Sequence, residues 1–401
     1  MSAPVQTLAK VLERADVFVD GDWVESKDQD LNGDVRLVQL ADIGDGYYID
    51  KSNRFLTSDT AKRLKCTFLK AGDILVARMP DPIGRACIFP GDAKPCVTVV
   101  DVCVIRVKEA EICARWLMHT LNSPLIRNQI AGFATGTTRS RVSRGNLSKI
   151  TLAAPPLPEQ RRIAAILDKA DTLRTKRREA LAQIDRLAQS IFVEMFGTYT
   201  KNGIRWDCVP LGELAKEMKI GLVRSSEEFG DAFSTPYVRM NAIGRNGEFF
   251  PELVQRTDIT DDEFAEYRLE AGDFLFNTRN SKELVGKTAI FRETGDYVYN
   301  NNLMRIRFNE RIDAEYVSQC FLTSFIQQEL EFRKSGTTSV FAIYGRDLNT
   351  LPIPVPPINM QREFGERMRT IAASRETMTR GEDVASRLFA SLQHRAFRGE
   401  L

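Results

Sequence analysis

Histidine is scarce in this 401-residue chain, which has only His119 and His394, and neither lies near a pair of cysteines. The seven cysteines are odd in number, form no C-x-x-C pair and mostly stand in apolar, strand-like contexts. We therefore expect reduced core cysteines and no zinc site. The sequence also lacks a run of about 18 apolar residues and a signal-peptide pattern at its start. These absences argue against a membrane helix, and we expect a cytoplasmic globular protein.

Catalytic signatures are also missing. The chain contains no G-x-x-x-x-G-K-[ST] phosphate loop, no G-x-S-x-G elbow, no H-E-x-x-H helix and no N/D-P-P-Y/F tetrad. One nuclease-like pattern exists, in which Asp81 follows Pro80 and is followed by Asp92 and Lys94, and such carboxylates can bind Mg²⁺. A self-contained Mg²⁺-dependent endonuclease therefore stays open as an alternative, although Pro90-Gly91-Asp92 is equally typical of a turn.

Charge is nearly balanced, with a formal net charge of +2, so any affinity for nucleic acid has to come from local patches.

The chain contains an internal repeat. The run Leu69-Lys70-Ala71-Gly72-Asp73 returns as Leu269-Glu270-Ala271-Gly272-Asp273, a shift of 200 positions, and Thr135-Gly136-Thr137-Thr138 returns as Ser335-Gly336-Thr337-Thr338. The pair Gln160-Arg161 returns as Gln361-Arg362, shifted by 201. One ancestral unit has been duplicated, and such a duplication can imitate the two-fold symmetry of a homodimer, which suits a target made of two half-sites.

Within each half, the first 150 or so residues alternate short apolar runs with Gly, Pro, Asn and Asp, which indicates strands joined by turns. A helix is predicted ahead of each Gly-Thr-Thr loop, from Ala114 to Ile130 and from Ala314 to Glu331, because apolar residues recur there at spacings of three and four. A proline cluster then closes each module, since proline fits neither a strand nor a helix interior.

Long helices are predicted after both proline clusters, from Glu159 to Phe196 and from Gln361 to Phe397. Apolar residues recur in heptads without glycine or proline in the first, and at ~1.5 Å per residue that helix is nearly 60 Å long. The second has a poorer seam. We predict that the two pair antiparallel within the chain, the alternative being that each packs on its own domain. The predicted seam consists of Ile163, Ile166, Ala170, Leu173, Ile184, Leu187, Ile191, Phe364, Ile371, Met378, Leu388 and Leu392.

Two surfaces are candidates for contact with DNA. The first is the Gly-Thr-Thr loop with the basic segment after it, where arginines can meet phosphates or guanine edges and threonine methyls can meet thymine. The second follows each Gly-Asp strand, where loop residues on a rigid scaffold often carry recognition. The alternatives are solvated basic loops and ordinary turns. The residues predicted to bind DNA are Arg78, Arg85, Thr137, Thr138, Arg139, Arg141, Arg144, Arg279, Asn280, Lys282, Lys287, Thr337, Thr338 and Ser339.

The chain resembles the specificity subunits of type I restriction-modification systems over essentially its whole length. The resemblance is carried by the paired strands at Gly72 and Gly272, by the two Gly-Thr-Thr loops, and by the linker that runs from Pro155 through Leu157, Gln160 and Ile163. The order and duplication of these motifs are specific, although the second linker differs slightly, with Asn359-Met360 before Gln361.

The resemblance implies an α+β fold in which two mixed α/β target-recognition domains, related by a pseudo-two-fold, are joined by a long antiparallel two-helix coiled coil. It implies recognition domains at 1–155 and 198–356 and helical spacers at 156–197 and 357–401. Each domain is expected to read one half of a bipartite, asymmetric site in double-stranded DNA, and the helices are expected to set the gap between the halves.

By the same resemblance, two methyltransferase subunits dock on the chain and restriction/translocase subunits join them. The chain itself is expected to be non-catalytic and to bind no cofactor or metal, because S-adenosylmethionine, ATP and Mg²⁺ belong to the partner subunits. Besides the endonuclease, a scaffold that pairs proteins through its long helices and never touches DNA stays open as an alternative.

Overall fold

The structure is a computed structural model that describes residues 4–79, 82–136, 140–200, 203–336 and 339–401. The chain divides into two compact units. The first comprises residues 1–178 together with 380–401, and the second comprises residues 179–379. Each unit therefore holds a part of both long helices.

The described residues of the first unit form nine short strands and six helices, the last of which continues into the second unit. In chain order they are β1 (Val5–Thr7), α1 (Leu8–Val11), β2 (Val17–Asp20), β3 (Val35–Val38), β4 (Phe55–Leu56), α2 (Ser58–Arg63), β5 (Ile74–Ala77), β6 (Ala86–Ile88), β7 (Cys96–Thr98), β8 (Val102–Arg106), α3 (Ala114–Leu121), α4 (Pro124–Gly132), α5 (Arg144–Leu147), β9 (Thr151–Ala153) and α6 (Leu157–Phe196). Short 3-10 turns lie at Ser26–Asp28 and Leu40–Asp42.

The main sheet of the first unit has the order β2-β8-β5-β6 and is antiparallel throughout. A smaller sheet, β4-β3-β7, pairs β3 with β7 in parallel, and β1 pairs with β9. All four residues of β5 are buried, because one face of the main sheet packs on α3 and α4 and the other on the smaller sheet. Continuous apolar runs such as Ile74–Ala77 are what a strand covered on both faces requires.

The second unit repeats this order with one additional small sheet. Its elements are β10 (Cys208–Pro210), α7 (Leu211–Leu214), β11 (Ala215–Ile220), β12 (Thr235–Val238), β13 (Gln255–Thr257), α8 (Asp261–Tyr267), β14 (Phe274–Asn277), β15 (Arg279–Asn280), β16 (Thr288–Ile290), β17 (Val298–Tyr299), β18 (Leu303–Phe308), α9 (Ala314–Cys320), α10 (Ser324–Arg333), β19 (Ser335–Gly336), β20 (Phe341–Ala342), α11 (Gly345–Asn349), β21 (Pro352–Pro354) and α12 (Ile358–Ala396). Its 3-10 turns lie at Met240–Ala242 and Pro251–Leu253.

The sheets of the second unit have the orders β11-β18-β14-β16, β13-β12-β17, β10-β21 and β15-β20-β19. The first three match the sheets of the first unit strand for strand. The predicted α+β class is confirmed, since each unit combines mixed sheets with packed helices.

The repeated Gly-Asp motif is a turn that introduces the central strand of each main sheet. Gly72 has φ +93° and Gly272 has φ +100°, a conformation that favours glycine. The carboxylate of Asp73 accepts hydrogen bonds from the Lys70 amide (2.8 Å) and from the Arg106 guanidinium (2.7 Å). Asp273 repeats both contacts in the second unit, so the motif stabilises the fold rather than forming a binding site.

The helix predicted from Ala114 to Ile130 is wrong as a single element, because the structure contains α3 and α4 with a break between them. Ser123 caps α4 by accepting a hydrogen bond from the Ile126 amide at 3.4 Å, and Pro124 occupies the first turn. In the second unit Thr323 caps α10 in the same way. A hydroxyl at the N-cap offers the backbone a new helix start, which apolar periodicity alone does not show.

The two long helices run antiparallel where they pack within the first unit. The Arg174 guanidinium of α6 lies 4.4 Å from the Phe389 ring of α12, and Arg178 pairs with Glu382 at 3.0 Å, so rising numbers on one helix meet falling numbers on the other. Gly381 lies directly opposite Arg177, and a side chain at Gly381 would occupy the space that the guanidinium fills.

In the second unit the end of α6 packs against the start of α12. The rings of Phe192 and Phe196 lie 5.6 Å and 5.4 Å from the Phe364 ring. All three are buried together with Tyr199 and Tyr316, so an aromatic cluster replaces aliphatic heptad packing at this end.

The predicted seam is partly wrong. Ile163 and Phe364 are buried as expected, and Ile166, Ala170, Ile184, Ile191, Ile371 and Leu392 are half-buried. Four predicted seam residues are exposed, however: Leu173 by 45%, Leu187 by 49%, Met378 by 38% and Leu388 by 49%. Ala385, which continues the predicted heptad row of Phe364 and Ile371, is buried as expected, and further buried contacts are made by positions off the predicted rows, among them Leu167, Met368 and Phe389. An α-helix with 3.6 residues per turn drifts away from a strict seven-residue repeat, which moves the contact row along a long helix.

Candidate nucleic-acid interface

In the second unit the two predicted DNA-binding surfaces form one small sheet. β15 carries Arg279 and Asn280 directly after the central strand β14, and it pairs with β20. β20 also pairs with β19, which leads into the Gly-Thr-Thr loop. Ser339 is exposed at the tip of this hairpin, whereas Thr337 and Thr338 lie outside the described residues. A hairpin of this kind is narrow enough to enter the major groove of DNA.

The first unit has the same junction in a reduced form. The amide of Val142 donates to the Arg78 carbonyl at 3.1 Å, and the amide of Ile343 donates to the Thr278 carbonyl at 2.9 Å at the matching place. A single antiparallel bridge between Thr135 and Arg141, with two hydrogen bonds of 2.9 Å, takes the place of β19 and β20. Thr137, Thr138 and Arg139, which stand between these two residues in the sequence, lie outside the described residues.

Positive charge at the second unit's hairpin is accessible. Arg279 is exposed, and Lys282 is 55% exposed while it pairs with Glu331 at 3.3 Å. Asn280 is half-buried and donates to the Asn277 side chain at 2.9 Å, which turns its own carbonyl oxygen toward the Ser281 amide. Accessible cations beside a hairpin tip are suited to phosphate contact.

The arginines of the first unit are more engaged within the protein than the sequence analysis expected. The Arg78 side chain is only 3% exposed, donates to the Val100 carbonyl and lies 3.4 Å from Asp20. Burial lowers the pKa of Arg78, but the guanidinium keeps its carboxylate neighbour. We therefore assign Arg78 a structural role, because a side chain so deeply buried has almost no surface to offer to DNA.

Two further arginines of the first unit have partners as well. Arg141 is 40% exposed and pairs with Asp101 at 2.9 Å. Arg144 donates to the Phe18 carbonyl at 2.8 Å, with its guanidinium 5.9 Å from the Phe18 ring. Both are partly accessible, so they stay predicted DNA contacts that would have to share their charge with these partners.

Arg85 and Lys287 hold the same structural position in the two units. Arg85 donates to the carbonyl of Ile43 at 3.1 Å, and Lys287 donates to the carbonyl of Met240 at 3.0 Å and also to that of Ile243. Burial lowers the pKa of Lys287. Each cation therefore closes the 3-10 turn that precedes it in the chain, and we leave both out of the proposed interface.

An exposed apolar residue that was not predicted from the sequence follows the first strand of the main sheet in both units. Trp23 and Val223 are each 68% exposed. They follow Gly21 and Gly221, where an added Cβ would collide with backbone carbonyl groups of a neighbouring segment of the same unit. The signal was available in the sequence as a Gly-x-apolar triplet repeated at a shift of 200 positions.

The nuclease-like pattern is only partly described, because Asp81 lies outside the described residues. Asp92 pairs with Arg36 at 2.8 Å, and the hydrogen bond from the Lys94 amide, followed by that from Arg36, lowers the pKa of Asp92. The Lys94 ammonium lies 4.5 Å from the Phe55 ring. Within the described ranges, no group of three or more His, Cys, Asp or Glu side chains is arranged to hold a metal ion. The geometry around Asp92 is that of a turn held by an ion pair.

A family model described as the type I restriction modification DNA specificity domain matches residues 10–184 and again residues 204–383. The chain belongs to this family. It carries two copies of the family domain, and its role is DNA sequence specificity in a type I restriction-modification system. The resemblance that the sequence motifs indicated is thereby confirmed.

Named relatives agree with this assignment. The chain is 24% identical over 318 residues to the type I restriction enzyme EcoKI specificity subunit of Escherichia coli K12, which covers 75% of this chain and 68% of that protein. It is also 24% identical over 316 residues to the StySPI specificity subunit of Salmonella potsdam, covering 73% of this chain and 66% of the relative.

Solved structures show the same fold. The S subunit of a type I restriction-modification system from M. genitalium aligns with a TM-score of 0.58 at 14% identity, covering 98% of this chain and 96% of that one. A chain from a study of complex assembly and conformational transition in a type I system aligns with a TM-score of 0.51 at 19% identity, covering 100% and 98%. At these identities the likeness concerns the fold alone.

Proposed function

We propose that this specificity subunit reads a bipartite, asymmetric DNA site, with the domain at 1–155 reading one half and the domain at 198–356 reading the other. The observation that carries this proposal is the pair of hairpins at the end of the central strands, which share their position in the fold and differ in their side chains. Identical readers would suit a palindrome, whereas different readers suit two different half-sites.

The interface that we propose contains the accessible members of the predicted set. In the second domain these are Arg279, Asn280, Lys282 and Ser339, and in the first they are Arg141 and Arg144. The loop residues Thr137, Thr138, Arg139, Thr337 and Thr338 stay part of the proposal as predictions from the sequence. The Gly-Thr-Thr loops, which both domains share, would serve a task common to both, while the residues that differ beside them, such as Arg139 and Ser339, would distinguish the two half-sites.

The partner subunits complete the proposed activity. Two methyltransferase subunits would dock on the chain, and restriction/translocase subunits would join them. The subunit itself would be non-catalytic, and S-adenosylmethionine, ATP and Mg²⁺ would be bound by the partners, in keeping with the missing catalytic motifs. The exposed Leu173, Leu187, Met378 and Leu388 leave apolar side chains of the long helices accessible to partner subunits. No described helix is long and apolar enough to cross a membrane, and we place the complex in the cytoplasm, where its DNA target is.

A domain exchange tests the division of labour. Replacing residues 1–155 with the matching domain of a related subunit should change one half-site in the methylation pattern of the host DNA and leave the other unchanged. If both half-sites changed, the proposed modularity would be wrong. Removing one heptad from α6 should alter the number of base pairs between the half-sites, since we propose that the long helices set that gap.

The alternatives predict different outcomes. A self-contained endonuclease would cut DNA with Mg²⁺ in the absence of partners and would lose this activity in the variant Asp81→Ala. A scaffold that never touches DNA would show no salt-sensitive retention on duplex DNA even inside the complete complex, whereas a DNA reader loses affinity steeply as salt rises.

A further inference from the structure

The first turn of each long helix contains a glutamine that is buried although the arginine after it is exposed. Gln160 in α6 is 5% exposed, and Gln361 in α12 is 0% exposed. A buried primary amide is costly unless both its oxygen and its nitrogen have partners. The contacts of these two side chains therefore show what the burial achieves.

In the first unit Gln160 connects three parts of the fold. Its Oε1 accepts a hydrogen bond from the Cys113 amide at 3.0 Å, which is the residue just before α3. Its Nε2 donates to the Pro155 carbonyl at 2.9 Å, in the turn between β9 and α6. The side chain thus ties the first turn of the long helix both to the turn that precedes it and to the core helix of the recognition domain.

The second unit contains the same joint with different surroundings. Gln361 accepts from the Asp313 amide at 2.9 Å, just before α9, and donates to the Pro356 carbonyl at 2.7 Å. Its Nε2 also lies 3.4 Å from the Arg311 carbonyl. The residue before the core helix has changed from cysteine to aspartate, and the linkers differ, yet both hydrogen bonds of the glutamine are retained.

Glutamine is the residue type that these partners require. The linkers are rich in proline, which has no amide hydrogen, so they offer few backbone donors to the carbonyls of Pro155 and Pro356. The amides of Cys113 and Asp313 need an acceptor. A carboxamide supplies both at the end of one side chain, whereas a carboxylate supplies only acceptors and an aliphatic side chain supplies neither.

The joint also leaves little room for the helix to pivot. A Cβ added to Gly365 would lie 2.9 Å from the carboxylate oxygen of Asp313, so a larger residue there would require the Asp313 side chain, which caps α9, to move. At the matching place in the first unit Ala164 is 3% exposed. Close approach on one side and two hydrogen bonds on the other fix the direction of the helix.

We propose that Gln160 and Gln361 are positioning residues that set the direction in which each long helix leaves its recognition domain, and thereby the length of DNA between the half-sites that the complex accepts. The inference rests on the proposed function, and it concerns the gap alone. The bases inside each half-site are read by the hairpins, which the glutamines do not touch.

The test uses the complete complex and a DNA library in which both half-sites are constant and the gap between them varies by single base pairs. In the variants Gln160→Met and Gln361→Met, preference for the natural gap over one that is a base pair longer should fall by about tenfold, as expected when two buried hydrogen bonds are lost. Gln160→Glu retains the acceptor for Cys113 but sets a buried carboxylate oxygen against the Pro155 carbonyl, so it should lose at least as much. Lys169→Ala, at an exposed position of the same helix, serves as the matched control.

The outcomes separate the inference from the function on which it rests. A broadened gap with both half-site sequences still required supports it. An unchanged gap preference overturns it, and so does a variant that loses its half-site sequences together with the gap, since the glutamine would then support the domain rather than the joint. If the unmodified complex preferred neither half-site, the proposed function itself would be wrong, whatever the variants do.

Discussion

The two recognition units share the backbone arrangement at the end of the central strand, but the first unit has charged side chains there and the second has neutral ones. At the end of the central strand, the first unit contains two ion pairs, Asp20 with Arg78 and Asp101 with Arg141. The matching positions of the second unit are Ile220 with Thr278 and Asn302 with Ala342, as the strand registers and the shared backbone hydrogen bonds show.

In the second unit, hydrogen bonds between neutral groups replace the ion pairs of the first unit. The Thr278 hydroxyl donates to the Asn302 backbone carbonyl at 3.0 Å, and the side-chain Nδ2 of Asn277 donates to the same carbonyl at 2.9 Å. A duplicated fold can therefore retain its strand order while the residues at the end of its central strand change from charged to neutral. The buried charge of Arg78 is tolerable because its guanidinium has the Asp20 carboxylate beside it.

The largest effect is expected from moving the charge of the first unit into the second. Thr278 is 7% exposed, and Thr278→Arg would bury a guanidinium beside Ile220 without a carboxylate. We expect the free energy of unfolding to fall by about 3 to 5 kcal/mol, measured by denaturant titration. The double variant Thr278→Arg with Ile220→Asp restores the partner and should recover part of the loss. No recovery would mean that the two junctions are not equivalent.

A smaller effect, equal in the two units, is expected at the shared glycines. Gly21→Ala and Gly221→Ala would each place a methyl group against the backbone of a neighbouring segment of the same unit. Each should lower the free energy of unfolding by about 1 to 3 kcal/mol, the range for overpacking. Gly145→Ala, whose Cβ would have no neighbour closer than 3.9 Å, is the control. Clearly unequal losses at the two glycines would contradict the structural equivalence.

Acid should weaken the first unit selectively. Although burial opposes it, hydrogen bonds from His119 and Arg115 lower the pKa of Asp168 to about 2, and the second unit has Gln319 and Arg369 at the positions matching His119 and Asp168. Because the folded-state pKa is lowered, this stabilisation is present above the unfolded value of 3.8 and is lost as the pH falls toward 2.

The contribution at neutral pH should be about 1 to 2 kcal/mol. Hydrogen exchange between pH 4 and 2 should therefore show α3 of the first unit opening before α9 of the second. Asp168→Asn should weaken the first unit at neutral pH and remove this extra acid sensitivity. Equal opening of both units in the unmodified chain would argue against the assignment.

The smallest effect is expected where Gly381 faces Arg177. Gly381→Ala gains about 1 kcal/mol of helix propensity but requires the flexible Arg177 side chain to move. We expect the two changes to offset one another to within about 1 kcal/mol. The double variant with Arg177→Ala removes the obstruction and should be more stable than Arg177→Ala alone by the full propensity gain. Calorimetry on both pairs measures the difference.

Much of the architecture was predictable because it depends on local signals. Gly72 and Gly272 mark turns that need positive φ, Pro155 and Pro356 end the modules, and heptads indicate long helices. The breaks at Ser123 and Thr323 were missed because a capping hydroxyl competes with apolar periodicity within a few residues. The engagement of Arg78 could not be predicted, because its partner Asp20 lies on a strand far away in sequence.

The sequence alone determined the duplication, the α+β class, the two long helices and the family, because each depends on residue types repeated at regular spacings. Tertiary structure decided which arginines form ion pairs with carboxylates and which remain accessible. It also decided which row of side chains is covered on each long helix. Both depend on partners that are brought together only by folding. A periodic pattern records that a face is apolar or basic, but the neighbour that covers or neutralises that face comes from another part of the chain.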